Sequence, residues 1–97
     1  MIKHIVFFKF KSDEAKTAQM ESIKEELEKL PAIIKELKEI HVGINMNPAE
    51  KWDMSLEAKV ENMDDLETYA KHPAHQQIVQ KMIAPIKEDR ACVDYQI

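Results

Sequence analysis

The chain has 97 residues, a net charge of −4 at pH 7 and one cysteine. This length suits one small domain, which buries roughly 60 to 65% of its unfolded surface and gains from oligomerisation. One cysteine excludes an internal disulfide and a zinc site built from cysteines alone, and lysines interleaved with glutamates leave no basic cluster. We therefore expect a single domain over residues 1–97 that binds neither nucleic acid nor membrane.

The N-terminal segment predicts a strand rather than a targeting sequence. Its longest uncharged apolar run, from Ile5 to Phe8, has four residues, too few for a signal-peptide core or a membrane span. A cytoplasmic protein is the default expectation. Residues 2–11 alternate with the period of a strand, with His4 on the more apolar, even-numbered face.

The odd-numbered face of this strand is also apolar at its centre, where Ile5 and Phe7 lie. A sheet covered by helices on one side needs only one apolar face. Ile5 and Phe7 therefore predict that the second side is covered too, and a second copy of the chain, giving a homodimer, is the simplest cover.

A first helix is predicted over residues 13–29, with Ser12 as its N-cap and acidic residues in its first turn. Pro31 predicts the start of a short helical piece that continues through Leu37. The apolar stripe of the first helix consists of Met20, Ile23, Leu27 and Leu30.

Two strands follow, at residues 40–46 and 52–60, and each alternates apolar and polar side chains. Gly43 lies inside the first of them, where it predicts a bulge in preference to a close approach by another backbone. Asn62 has the form of an N-cap for the next helix.

The remaining elements complete an α+β arrangement. Pro85 should end a helix near Ala84, and residues 90–97 alternate as a fourth strand. The order strand, helix, strand, strand, helical pair, strand predicts a ferredoxin-like four-stranded antiparallel sheet with helices on one face. The face that carries His4 should be the one the helices cover.

The segment from Tyr69 to His75 concentrates groups that titrate near neutral pH or donate hydrogen bonds. Pro73 disfavours helical geometry at His72 and suits the first turn of a new helix. One helix should therefore end near Lys71 and another begin at Pro73. His75 precedes a stripe of apolar residues at helical spacing and should face inward, as should Tyr69.

These side chains allow three interpretations. Tyr69 and His75 could form a structural hydrogen-bonded network, which is the default for buried polar groups. They could instead line a ligand pocket without catalysis, or act as hydroxyl donor and general base in an enzyme.

A metal site is the weakest interpretation of the histidines. His72 and His75 are three residues apart and His4 could join them, but His72 sits at the helix break and spacing selects no carboxylate. We therefore assign no metal and no cofactor. Cys92 is interpreted as a small packing residue in preference to a nucleophile, because we expect no basic residue beside it on its own face of the strand.

Several segments together resemble the stress-responsive dimeric A/B barrel family, over nearly the whole length. The segments that carry the resemblance are Lys3 to Phe10, Val42 and Gly43, Trp52 to Met54, the spaced set Tyr69, His72, Pro73 and His75, and Val93 to Tyr95. The resemblance implies a ferredoxin-like chain whose sheet meets that of a second copy to form a dimeric α/β barrel. Many members of the family have no known reaction.

A plant member of that family is a polyketide cyclase that closes a ring by intramolecular aldol condensation. Its catalytic tyrosine and histidine correspond to Tyr69 and His75, and its strand-one histidine, which lines the pocket, corresponds to His4. The resemblance therefore implies two alternatives. The first is a stress-responsive protein without an assignable reaction, which binds a small apolar or aromatic ligand between helices and sheet. The second is a cyclase-like enzyme.

The expected site thus has two groups of residues. Tyr69 and His75 are the catalytic candidates. The predicted ligand-binding residues are His4, Val6, Phe8, Ile23, Leu27, His72, Ile78 and Met82.

Overall fold

The computed structural model describes all 97 residues. Its strands are β1 (Ile2–Phe10), β2 (Glu39–Ile44), β3 (Met54–Val60) and β4 (Lys87–Gln96), and its helices are α1 (Lys16–Glu28), α2 (Met63–Lys71) and α3 (Pro73–Ile78). The strands pair antiparallel in the order β2-β3-β1-β4. The predicted ferredoxin-like α+β fold is confirmed.

The core lies between the helices and one face of the sheet. β3 alternates buried and half-buried residues along its whole length, as a strand with one covered face must. The even-numbered face of β1 faces this core, and Phe10 and Leu27 are completely buried there. The predicted orientation of β1 is correct.

The start of α1 differs from the prediction. The helix begins at Lys16, three residues later than expected, and Ser12 is not its N-cap. The Asp13 carboxylate accepts a hydrogen bond from the Ala15 amide at 2.8 Å. This local turn gives the Ala15 amide a hydrogen-bond partner without a helix. Asp side chains compete with helical geometry in this way.

Two smaller predictions between α1 and β3 are wrong. The helical piece at Pro31 is only a 3₁₀ turn, Leu30–Ala32. The pairing of β2 with β3 runs without a register shift at Gly43, so there is no bulge. A Cβ at Gly43 would instead lie 3.2 Å from the Ser55 Oγ on the neighbouring strand, and a close approach is what the glycine allows.

The helix break falls where the sequence predicts it. Asn62 caps α2 by accepting a hydrogen bond from the Asp65 amide at 2.8 Å. His72 has extended backbone geometry, and α3 begins at Pro73. The His72 Nδ1 accepts a hydrogen bond from the Ala74 amide at 3.1 Å, so this histidine is the N-cap of α3.

A π-helical turn, Val79–Ile83, continues α3. Its signature is the hydrogen bond that the Ala84 amide donates to the Val79 carbonyl five residues earlier, at 2.7 Å. The wider turn takes in one more residue than an α-helical turn. Side chains beyond Val79 are therefore rotated relative to the spacing that an α-helix would give.

The second face of the sheet has no helix over it and carries large apolar side chains. Phe7, Val93 and Tyr95 are 40%, 53% and 43% exposed. Val93 is paired with Ile5 and Tyr95 with Lys3, so these side chains continue the odd-numbered face of β1.

None of the helices has the length and apolar character needed to cross a bilayer.

Candidate functional site

A cavity of about 600 Å³ opens between α2, α3 and the covered face of the sheet. It exists because the helices do not cover the sheet evenly. α1 packs on β2, and α2 on β1 and β3, whereas β4 contributes no buried residue. The space above β4 therefore stays open, and its lining combines apolar side chains with polar ones.

Tyr69 places a hydroxyl group in the wall of this cavity. Its side chain is 1% exposed, and no group of the protein pairs with the hydroxyl oxygen. Burial raises the pKa of Tyr69 far above its ordinary value, although the positive charge of Arg90 opposes the shift. The hydroxyl therefore keeps its proton at neutral pH and is a hydrogen-bond donor.

His75 lies beside Tyr69, with 4.4 Å between the ring centroids. Its Nδ1 is 2.9 Å from the Ala70 carbonyl oxygen, which can only accept, so Nδ1 carries the proton and donates. Nε2 is left with its lone pair. Burial lowers the pKa of His75, opposed by the Ala70 hydrogen bond and assisted by the positive charges that His4, Arg90 and His72 can carry. At neutral pH His75 is a neutral acceptor.

The lowered pKa of His75 makes folding depend on acidity. Above the ordinary pKa of 6.5 the imidazole is neutral in both the folded and unfolded states. Below that value the unfolded state takes up a proton that the folded state resists, so the free energy of unfolding falls as the pH drops towards the folded-state pKa. Urea unfolding at pH values above and below 6.5 measures this dependence. As the pH falls, the free energy of unfolding should decrease more steeply for the native chain than for His75→Gln.

The matched control for this pH dependence is His41→Gln, because His41 is exposed on β2. It should retain the native pH slope. Equal slopes for the native chain and His75→Gln would contradict a buried, neutral His75.

The polar edge of the cavity is formed across the pairing of β1 with β4. The His4 Nδ1 is hydrogen-bonded to the Asp94 Oδ1, directly opposite it in the register. The Cys92 Sγ lies 3.5 Å from the same nitrogen and 3.7 Å from the Asp94 Oδ1. The His4 ring is edge-on to Tyr69, 6.3 Å away.

The interpretation of Cys92 as a packing residue without a basic neighbour is wrong. Arg90 is two residues before it on the same strand and so lies on the same face. The side chain of Cys92 is not packed in the core but lies at the cavity. Burial at this position, followed by the negative charge of Asp94, raises the pKa of the thiol, and Arg90 opposes the shift.

Six of the predicted site residues line the cavity and four do not. Those in the wall are Tyr69, His75, His4, Val6, Phe8 and Leu27. The four placed elsewhere are Ile23, His72, Ile78 and Met82.

The reasons for the misplacement are local. His72 is occupied as the N-cap of α3. Ile23 and Met82 share a surface groove beside α1, and Ile78 faces a second groove with Met82. Because the π turn takes in one more residue, Ile83 and not Met82 follows Val79 into the cavity wall. Ile78 lies before the π turn, three residues after His75, and Val79, four residues after it, is the one that lines the cavity.

The polar side chains that β4 contributes to the cavity were not among the predicted site residues. Alternate residues of a strand share a face, so spacing alone places Arg90, Cys92 and Asp94 on one side of β4. Their position opposite His4 depends on the strand register, which spacing does not give. Arg90 is the only arginine and forms no salt bridge.

Comparison with known proteins decides the family. The family model described as "Stress Responsive A/B Barrel Domain" matches residues 2–97. The chain belongs to this family. The resemblance to the stress-responsive A/B barrel family, predicted from the sequence, is therefore confirmed.

One curated protein and two solved structures are similar to this A/B barrel domain. A stress-response A/B barrel domain-containing protein of Arabidopsis thaliana is 30% identical over 98% of the chain, which spans only 36% of the length of that protein. A dimeric protein of unknown function and ferredoxin-like fold from Bacteroides fragilis is 46% identical, with a TM-score of 0.93 over 99% of this chain and 95% of that one. A dimeric ferredoxin-like protein of unknown function from Thermobifida fusca is 32% identical, with a TM-score of 0.85 over 99% and 90% of the two chains.

Proposed function

We propose that this A/B barrel domain binds a small, largely apolar molecule in the cavity of each protomer, and that the ligand carries an oxygen that accepts a hydrogen bond. The observation that carries the proposal is the Tyr69 hydroxyl, which is buried in the cavity wall and has no partner in the protein. Buried polar groups are nearly always paired, and leaving one unpaired costs about 1 to 3 kcal/mol. A ligand oxygen supplies the missing partner.

The surroundings of Tyr69 favour this class of ligand. A cavity of about 600 Å³ falls within the usual range for small-molecule sites, which are mostly apolar with a few convergent polar groups. Tyr69 provides a donor, and His75, through Nε2, provides an acceptor beside it. A ketone can use the donor alone, and a phenol or alcohol can use both.

We propose that the working form is a homodimer joined through the uncovered face of the sheet. The exposed apolar side chains Phe7, Val93 and Tyr95 support this assembly, since contiguous apolar surface of this kind usually marks an interface. The related proteins from Bacteroides fragilis and Thermobifida fusca are both described as dimeric. The cavities lie on the opposite face of each sheet and would remain open in such a dimer.

The comparisons favour no particular reaction, and the cyclase-like alternative gains no support from them. The two solved relatives described above are both proteins of unknown function. We propose binding as the activity, and we place the protein in the cytoplasm, where an accessible thiol such as that of Cys92 stays reduced.

The test is calorimetric titration with acetophenone, a small aromatic ketone, at constant pH. We expect one binding site per protomer in the native chain. Tyr69→Phe removes only the hydroxyl and should weaken binding by about 10-fold, the value of one hydrogen bond to a ligand. Tyr95→Phe removes the other phenolic hydroxyl of the chain, on the opposite face of the sheet, and should bind like the native chain.

Equal acetophenone affinity in the native chain and in Tyr69→Phe would contradict the assignment of Tyr69 as the ligand's hydrogen-bond donor. Absence of heat in the native chain at millimolar ketone would contradict binding of this ligand class.

A further inference from the structure

We propose that His4, Cys92 and Asp94 form a metal-binding site for Zn²⁺ at the edge of the cavity. The Nδ1 of His4, the Sγ of Cys92 and a carboxylate oxygen of Asp94 all lie within 4.8 Å of one another. They are the only group of three such donors in the chain at this spacing. This site goes beyond the proposed ligand binding and can be measured without any organic ligand.

The donor spacing fits one tetrahedral metal ion. Zinc bond lengths of about 2.0 Å to nitrogen or oxygen and about 2.3 Å to sulfur place tetrahedral ligands roughly 3.5 Å apart when one of them is sulfur. The Cys92 Sγ is 3.5 Å from the His4 Nδ1 and 3.7 Å from the Asp94 Oδ1. His4 and Asp94, now hydrogen-bonded directly to each other, need to separate to about 3.3 Å to share the ion.

The scaffold places the three donors rigidly. His4 and Asp94 are directly opposite in the pairing of β1 with β4, and Cys92 is the next residue along the same face of β4. Cross-strand and same-face neighbours are fixed by the register of the sheet and not by a mobile loop. The backbone therefore holds the three residues side by side, and the His4 and Asp94 side chains move apart to receive the ion.

The chemistry of the donor set favours zinc. Imidazole, thiolate and carboxylate together suit Zn²⁺ better than the hard ions Mg²⁺ and Ca²⁺, which prefer oxygen ligands. The thiolate of Cys92 and the carboxylate of Asp94 balance the two positive charges of the ion. Three protein ligands with the fourth position facing a cavity is the pattern of zinc sites that also bind a small molecule or water.

Metal binding at this site involves defined proton movements. The Cys92 thiol loses its proton to solvent as the Zn–S bond forms. The His4 imidazole, which donates to Asp94 through Nδ1, must carry its proton on Nε2 to coordinate through Nδ1. Because binding releases the thiol proton, the affinity for Zn²⁺ should rise by up to about 10-fold for each unit that the pH is raised near neutrality.

Cobalt titration of the intact chain tests the site, since Co²⁺ substitutes for Zn²⁺ and is coloured. We expect one Co²⁺ per protomer, with a thiolate-to-cobalt charge-transfer band and the visible bands of tetrahedral cobalt, and we expect Zn²⁺ to abolish both. Cys92→Ser should remove the charge-transfer band. Asp94→Asn and His4→Gln should each lower the cobalt affinity by at least about 10-fold.

The controls are Asp89→Asn and His41→Gln, which change an exposed carboxylate of β4 and an exposed imidazole of β2. Both should titrate like the native chain, and circular dichroism should show that every variant is folded. A charge-transfer band that is unchanged in Asp94→Asn and His4→Gln would indicate a thiolate acting alone and would overturn the proposal. So would the absence of the band in the native chain, or half an equivalent of metal per protomer.

Discussion

Phe7→Glu is expected to dissociate the homodimer. Phe7 lies on β1, between β3 and β4 in the sheet, and its ring is 6.1 Å from that of Trp52. A carboxylate at this position would be buried against the partner's sheet without an opposite charge. Leaving a buried charge unpaired costs roughly 3 to 5 kcal/mol, which corresponds to a dissociation constant raised by about 150- to 5000-fold.

Sedimentation velocity over a range of concentrations measures this effect. The native chain should sediment as a dimer at micromolar concentration and Phe7→Glu as the 11.3 kDa chain. Ile33→Glu is the matched control, because Ile33 is 58% exposed but lies beside α1, away from the uncovered sheet face. A dimer that is lost in Ile33→Glu and kept in Phe7→Glu would place the interface elsewhere.

Two substitutions of Tyr69 are expected to affect stability very differently. Tyr69→Ala empties a nearly fully buried aromatic position and should lower the free energy of unfolding by about 3 to 5 kcal/mol. Tyr69→Phe keeps the ring and removes the unpaired hydroxyl, so it should leave the free energy of unfolding unchanged or raise it by up to about 1 kcal/mol.

Urea unfolding of the ligand-free chain, followed by far-ultraviolet circular dichroism, measures both values. Tyr95→Phe, on the opposite sheet face, controls for loss of a phenolic hydroxyl as such. The contrast between the two Tyr69 variants matters more than either value. If Tyr69→Phe lost more than about 1 kcal/mol, the hydroxyl would belong to a structural network, and the case for a ligand partner would fail.

The strands and the helix break were predictable because each rests on local physics. Alternation along β3 follows from one covered face, and the start of α3 follows from the fixed geometry of Pro73. The start of α1 was not predictable from capping preference, because Asp13 closes its own turn first.

The site residues were predictable only where helical spacing or strand alternation determines which way a side chain points. Tyr69 and His75 could be placed in the wall from helical spacing, and His4 from strand alternation. Met82 could not be placed correctly, because a π turn has no reliable sequence signal. Ile78 could not be told apart from Val79 by spacing, because residues three and four places after His75 both lie near its face of a helix. The pairing of His4 with Asp94 depends on the register between the first and last strands, which only the folded sheet determines.

The central claim is that the Tyr69 hydroxyl donates to an oxygen of a ligand held in the cavity. It is tested most directly by comparing acetophenone with ethylbenzene, which has nearly the same shape and no oxygen, in the native chain and in Tyr69→Phe. The native chain should prefer acetophenone by about 10-fold. In Tyr69→Phe the preference should disappear, with ethylbenzene bound as well as before. A preference for the ketone that survives intact in Tyr69→Phe would contradict the account.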